Sequence, residues 1–381
     1  MRKILIVAHY SRFLVQFEMN DVRLLQEAGV EVHYATNYEK EDMYDEAPNK
    51  IVEAGVILHQ IDFVRSPYRI KENVNAYQQL KKLMEQEKFD GVHCHTPMGG
   101  MLARVAAKTT RTTPVIYTAH GFHFYKGAPI LNWILYYPIE KILSKWTDVL
   151  ITINVEDYIC AKDKMSSRKV EHIPGVGVDV ERYDTYIFDK DEWRKSLEIH
   201  SDATVFVSVG ELNRNKNHET AIRAFLQAEI PNSYYLICGD GELKSRLMEI
   251  IREKHAENQV RLLGFCENIP EILKGSDVFV FPSIREGLGL AAIEAMAAGL
   301  PVIASKMRGS KEYITPDVTG SFCDATSIND FCAEMKKWEK RINKNICDIS
   351  KQTKLTAKKF DIDVVKTKMK QIYRTVGWIL E

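Results

Sequence analysis

The stretch DVFVFPSIREGLGLAAIEAMAAGLPVIAS, residues 277–305, decides how the chain is read. It opens with an apolar run of strand composition, followed by a loop holding two glycines. Residues 289–298 are mostly alanine and leucine, and Gly299 and Pro301 stop the helix before a second apolar strand, PVIAS. Strand, helix and strand in this order make a parallel βαβ unit, whose sheet is covered on both faces. Two glutamates stand in the unit. Glu286 lies in the loop at the strand's carboxyl end, and Glu294 about a turn and a half into the helix. Gly287 and Gly289 allow a tight turn and close approach of a ligand, and the free N–H groups at the helix start suit an anion such as diphosphate. The residues three and four positions from Glu294 are Leu290, Ala291, Ala297 and Ala298, a small apolar face. A carboxylate there needs a donor partner, either ribose hydroxyls or a neighbouring element.

The same alternation runs through the rest of the chain. In the first half, KILIVAHY, VEVHYATN, DGVHCHTP, PVIYTAHG and TDVLITIN read as strands, with LVQFEMNDVRLLQEAG and GGMLARVAAK as helices between them. HIPGVGVDVERYD, residues 172–184, breaks the rhythm as a linker, and ATVFVSVG, SYYLICGDG and VRLLG resume it. The expected architecture is α/β: two doubly wound, Rossmann-like domains over 1–175 and 176–361, facing each other across a cleft. A closing helix over 362–381 follows, and a return to the first domain is one option for it. In such sheets ligands bind beyond the carboxyl ends of the strands.

Composition narrows the class. A chain of 381 residues with 45% hydrophobic and 27% charged residues fits a globular protein of two domains. A formal net charge of zero gives no electrostatic reason to expect nucleic acid as a partner. Seven scattered cysteines without a C-x-x-C suit reduced thiols and a cytoplasmic setting. MRKILIVAHYSRF reads as a buried strand and not a signal peptide. No segment is apolar for long enough to span a bilayer. The closest is APILNWILYYPIEKILSKW, residues 128–146, interrupted by Pro138, Glu140 and Lys141. It is read either as a core-facing helix with an aromatic stripe or as a helix resting on the inner face of the membrane.

EGLGLAAIE resembles the signature of the retaining glycosyltransferases of family 4, a glutamate followed after seven residues by a second. The likeness extends through VSVGELNRNKNHETAIRAF, LICGDGEL, RLLGFCENIPEIL and SDVFVFPS, and more loosely through HCHTPMGGMLARVAA and YTAHGFHFY. It implies the GT-B fold and a nucleotide-sugar donor. It also assigns roles: Glu286 to hydroxyls of the donor sugar, Glu294 to the ribose, and the backbone of Gly287, Leu288, Gly289 and Leu290 to the diphosphate. Lys216 matches the family's phosphate-binding lysine. The arginine that usually follows Gly210 is replaced by Glu211, a departure that puts more of the cationic work on Lys216 and on the nearby Arg214. Gly239 and Gly241 match a loop near the donor, Phe265 a position beside the nucleobase or in the core, and His120 a position near the sugar and phosphate.

Ser11, His95 and His123 are candidates for the acceptor side. His93 and His95 alternate on one strand without an evident third ligand, and Asp361-x-Asp363 leads into a helix, so no essential metal and no cofactor is expected. The reaction implied is retaining transfer of a hexosyl group to a lipid-linked saccharide in surface polysaccharide assembly. Its donor would be a UDP-hexose or UDP-N-acetylhexosamine. Competing readings are a glycoside hydrolase using Glu286 and Glu294, a nicotinamide-dependent dehydrogenase, which lacks its G-x-G-x-x-G here, and a non-catalytic sugar-nucleotide binder.

Overall fold

The structure is a computed structural model that describes residues 1–39 and 46–380. It divides into two units: the first holds the chain up to Gly177 and again from Asp363, and the second runs from Val178 to Ile362. The closing helix Ile362–Thr375 therefore packs on the first unit. Its Tyr373 is fully buried, and Trp378 just beyond stacks on that ring at 5.4 Å between centroids.

The first unit contains a seven-stranded parallel sheet. Its strands are β1 Lys3–Val7, β2 Glu31–Thr36, β3 Ile57–Gln60, β4 Gly91–His95, β5 Val115–Ala119, β6 Val149–Thr152 and β7 Lys169–His172, in the order β3-β2-β1-β4-β5-β6-β7. The second unit contains six: β8 Thr204–Val209, β9 Ser233–Cys238, β10 Val260–Gly264, β11 Val278–Phe281, β12 Val302–Ser305 and β13 Gly320–Cys323, in the order β10-β9-β8-β11-β12-β13. Central strands such as β4 and β11 are buried at every residue, as helices on both faces require. Each unit has its own apolar core, around Leu5, Val92 and Tyr117 in the first and around Phe206, Tyr235 and Trp338 in the second.

Strand order reverses direction between β1 and β4 in the first sheet and between β8 and β11 in the second. At such a switch the connections on either side run to opposite faces and leave a crevice at the carboxyl ends. Sites in each unit are therefore sought in the loops after β1 and β4, and after β8 and β11.

Candidate functional site

In the second unit the two switch-point loops are tied together. Ile284 donates its amide to Asn215 O at 2.8 Å, and Asn215 Nδ2 donates to Arg285 O at 2.9 Å. Across this seam Lys216 Nζ reaches Glu286 Oε1 at 2.6 Å, from a position 70 residues earlier in the chain. The lysine stem lies over Gly210, and its ammonium stands 5.5 Å from the centre of the Phe281 ring. Glu211, where the family arginine was expected, is exposed and accepts a hydrogen bond from Asn213 Nδ2 at 2.8 Å. The amide oxygen of Asn213 accepts from the Lys216 backbone at 3.0 Å. Glu211 thus braces the turn that presents the lysine and supplies no charge to an anion. Arg214 is exposed on the same loop.

The helix Leu290–Ala297 begins directly after Gly289 and has no side-chain cap. Gly289 is left-handed (φ 95°), and a Cβ there would meet Phe281 Cε1 at 2.6 Å and the Tyr313 hydroxyl at 3.0 Å. Only glycine lets the chain enter the helix at this point. The N-cap glycine thus offers the first-turn amides no capping side chain of its own, an arrangement able to hold a phosphate group.

Glu294 is half-buried, and burial pushes its carboxyl above the usual range, against the charge of Arg182 and a hydrogen bond with Tyr183. Tyr183 belongs to the helix Val180–Thr185. The donor partner expected for this carboxylate is thus a tyrosine of a neighbouring element. Its remaining acceptor capacity can serve hydroxyl groups.

Gly239 and Gly210 prove to be packing partners: a Cβ on Gly239 would lie 1.9 Å from Gly210 O, so the ends of β8 and β9 meet backbone to backbone. Phe265, after β10, is 66% exposed, which removes the core-packing reading. Sequence reasoning missed Arg308, whose Nε donates to Glu286 O at 3.4 Å, and the buried Tyr313 beside Gly289. Both lie beyond β12, and no local pattern marked them.

In the first unit, His120 follows β5 with 24% of its side chain exposed, and burial lowers its pKa to about 4, so the ring is neutral near pH 7. His95 and Ser11 are the next two candidates for the acceptor side. Both are fully buried, one at the end of β4 and the other just after β1, and neither offers a side chain to solvent. His123 is half-buried against Tyr136, with ring centres 4.6 Å apart. His95, for which the sequence shows no third metal ligand beside His93, lies with His120 and Glu18. Glu18 ends a π-helical turn, Leu14–Glu18, that precedes the helix Met19–Glu27. The wider turn brings a carboxylate inward to the sheet's switch point. Asp363 stands in the first turn of the closing helix, and the backbone of Asp361 pairs with Val178 in an isolated bridge.

The helix Ile130–Leu143 divides its faces. Trp133, Tyr136 and Tyr137 pack on the core, whereas Ile130, Leu131, Ile134, Leu135, Ile139 and Ile142 are 41–73% exposed. The core-facing reading thus holds for the aromatic stripe, and the opposite face is apolar and exposed. The buried Arg104 anchors the helix through Glu140, at 2.9 and 3.1 Å. Among the described residues no helix is long and apolar enough to cross a membrane.

Comparison with known proteins follows the same division. Residues 3–154 match the family model described as glycosyl transferase 4-like, and residues 189–354 match that of glycosyl transferases group 1. The chain is 36% identical over 380 residues to EpsD of Bacillus subtilis, itself named only provisionally as a glycosyltransferase, covering 98% of this chain and 96% of that one. It is 35% identical over 259 residues to the UDP-Gal:alpha-D-GlcNAc-diphosphoundecaprenol alpha-1,3-galactosyltransferase of Escherichia coli, covering 66% and 67% of the two chains. The crystal structure of Anabaena HepE in complex with UDP and glucose superposes with a TM-score of 0.79 at 16% identity, over 98% of this chain and 100% of that one, a likeness of fold. The chain belongs to the family 4-like, group 1 glycosyltransferases and has their GT-B fold, two parallel α/β sheets in succession.

Proposed function

We propose that the protein transfers a hexosyl group from a UDP-sugar, with retention at the anomeric carbon, to a lipid-linked saccharide in surface polysaccharide assembly. The observation that carries the donor half is the meeting of Lys216 and Glu286 at an uncapped, glycine-led helix start, on the switch point of the second sheet. Lys216 and the amides of Leu288, Gly289 and Leu290 hold the diphosphate and stabilise the charge it gathers on leaving. Glu286 orients the sugar hydroxyls, Glu294 accepts from the ribose, Phe265 stacks on the base, and the exposed Arg214 adds a second cation. His120, being neutral, acts as a hydrogen-bond donor and not as a cation. The bond from the anomeric carbon to the diphosphate breaks while the acceptor oxygen bonds on the same face. The acceptor's proton passes to the departing phosphate oxygen, so no protein nucleophile is needed. UDP as the nucleotide is supported by the E. coli relative and by HepE, whose names carry it. The apolar outer face of Ile130–Leu143, with Lys141 and Lys145 at its end, would rest on the membrane that holds a lipid-linked acceptor.

Calorimetric titration with a panel of UDP- and GDP-sugars, together with an assay of UDP release, tests this reading. Binding of a UDP-sugar with slow UDP release is expected. Binding without release under any acceptor would favour a sensor, hydrolysis of free glycosides without nucleotide would favour a glycosidase, and failure to bind UDP would end the proposal.

A further inference from the structure

The carboxyl ends of β4 and β5 carry a cluster that the transfer reaction does not use in full. His95 Nδ1 lies 3.2 Å from His120 Nε2 and 3.4 Å from Glu18 Oε1, and His120 Nε2 lies 3.7 Å from the same Glu18 oxygen. Three ligand atoms thus form a triangle. A tetrahedral zinc ion with bonds of about 2.0–2.1 Å separates its ligand atoms by about 3.3–3.4 Å, the bond length times about 1.63. The observed edges bracket that value. The two edges to Glu18 exceed the roughly 2.7–3.2 Å of a good hydrogen bond, so hydrogen bonding alone does not account for the triangle.

We propose that Glu18, His95 and His120 form a binding site for a divalent first-row transition ion, zinc in the first place. Two imidazoles and one carboxylate make a three-ligand set of the kind that leaves a fourth position for water or a substrate oxygen. His95 and Glu18 are buried, while His120, 24% exposed, gives access from solvent. The electrostatics point the same way. Glu18 hydrogen-bonds Asp21, and Asp21 Oδ2 accepts from Tyr373 OH at 2.7 Å. His93 Nδ1 meets that hydroxyl at 3.0 Å, and Thr118 Oγ1 meets His93 Nε2 at 2.8 Å. Two buried carboxylates thus face histidines, a tyrosine and each other, with no lysine or arginine in the cluster among the described residues. A divalent ion at the triangle would set positive charge beside these two carboxylates. Asp21 and Tyr373 would then orient Glu18 from behind.

The site is tested on full-length protein without a histidine tag, stripped with a chelator and titrated with cobalt(II) and zinc(II) in the absence of nucleotide. One equivalent of cobalt is expected to bind with the visible absorption of a four-coordinate ion, and zinc should displace it. Glu18→Gln and His120→Asn should each abolish the bands while circular dichroism stays native. Asp21→Asn, acting through Glu18, should weaken zinc by about 10–100-fold. UDP titrations of the wild-type, Glu18→Gln and Asp21→Asn preparations report the donor half separately, because neither residue is assigned to the donor. If the wild-type protein gives no tetrahedral cobalt spectrum, or if bands persist unchanged in both ligand variants, the trio is a hydrogen-bonded network and the proposal is overturned.

Discussion

The Lys216–Glu286 pair makes a demand that a simple phosphate-binding lysine would not. The ammonium lies 2.6 Å from the carboxylate, with 23% and 17% of the two side chains exposed. At that distance and an effective dielectric constant of about 20, the gross attraction is about 6 kcal/mol, most of which desolvation offsets. Glu286 therefore competes with an incoming diphosphate for the same donor. A charge-assisted hydrogen bond contributes about 1.5–3 kcal/mol net, and a lysine already shared stands at the lower end. Lys216→Met keeps the stem over Gly210 and Phe281 and removes only the charge, so UDP should bind roughly 10-fold more weakly. Glu286→Gln releases the ammonium, so UDP should bind as tightly as to the wild type or up to about 10-fold more tightly, although transfer is lost. The double variant should bind like Lys216→Met, because the freed donor is no longer there. Calorimetry at fixed pH and salt measures all four corners of this cycle. If Glu286→Gln weakens UDP as much as Lys216→Met does, the pair is a structural clasp and the lysine does not grip phosphate.

Other expectations concern separate parts of the molecule. Burial raises the Glu294 carboxyl, so its acceptor role is complete at alkaline pH and is lost as pH falls through a midpoint above the ordinary glutamate range. UDP affinity should decline accordingly toward acid. Since the diphosphate itself titrates, the comparison is with Glu294→Gln, which should lack this component, and with Tyr183→Phe, which should move the midpoint higher. Glu140→Ala leaves the buried Arg104 guanidinium without its counter-charge, bonded only to Gly100 O at 2.9 Å and stacked on Tyr117. It should cost about 3–5 kcal/mol in urea unfolding, and Arg104→Met/Glu140→Leu should recover most of that loss. Replacing Leu131, Ile134 and Leu135 by serine should abolish co-flotation with anionic vesicles and leave the melting temperature within a few degrees, since these side chains are 41–61% exposed. Unchanged flotation would remove the membrane role of this helix.

The architecture was legible because central parallel strands, buried on both faces, are continuous apolar runs. β1, β4, β8 and β11 stand out in the sequence for that reason. The edge strands β3 and β7 were not read. Their residues ILHQ and KVEH are exposed or half-buried, so packing imposes no apolar run, and only pairing with a neighbour makes them strands. Glu286, Glu294 and the glycines between them were visible for another reason. All lie within one strand–loop–helix unit, where spacing along the chain and position in space coincide.

Elsewhere in the candidate sites that coincidence fails. Tyr183 and Arg308 reach residues 286 and 294 from elements whose own patterns carry no trace of the meeting. Glu18 is the sharper case, because the residues around it fit an ordinary amphipathic helix. A π turn inserts one extra residue per turn, which rotates the following side chains by roughly a quarter of the circle relative to an α-helix. The face that periodicity sends outward is thereby turned to the end of β4. A helix that spends regular hydrogen bonding in this way places a polar group where the core would otherwise be apolar, and the group must then be matched. The matching set, His95 and His120, comes from two strand ends that adjoin only because β4 and β5 are neighbours in the sheet. Local periodicity can show that each element exists, but strand order decides which strand ends become neighbours, and the chemistry of this unit depends on that order.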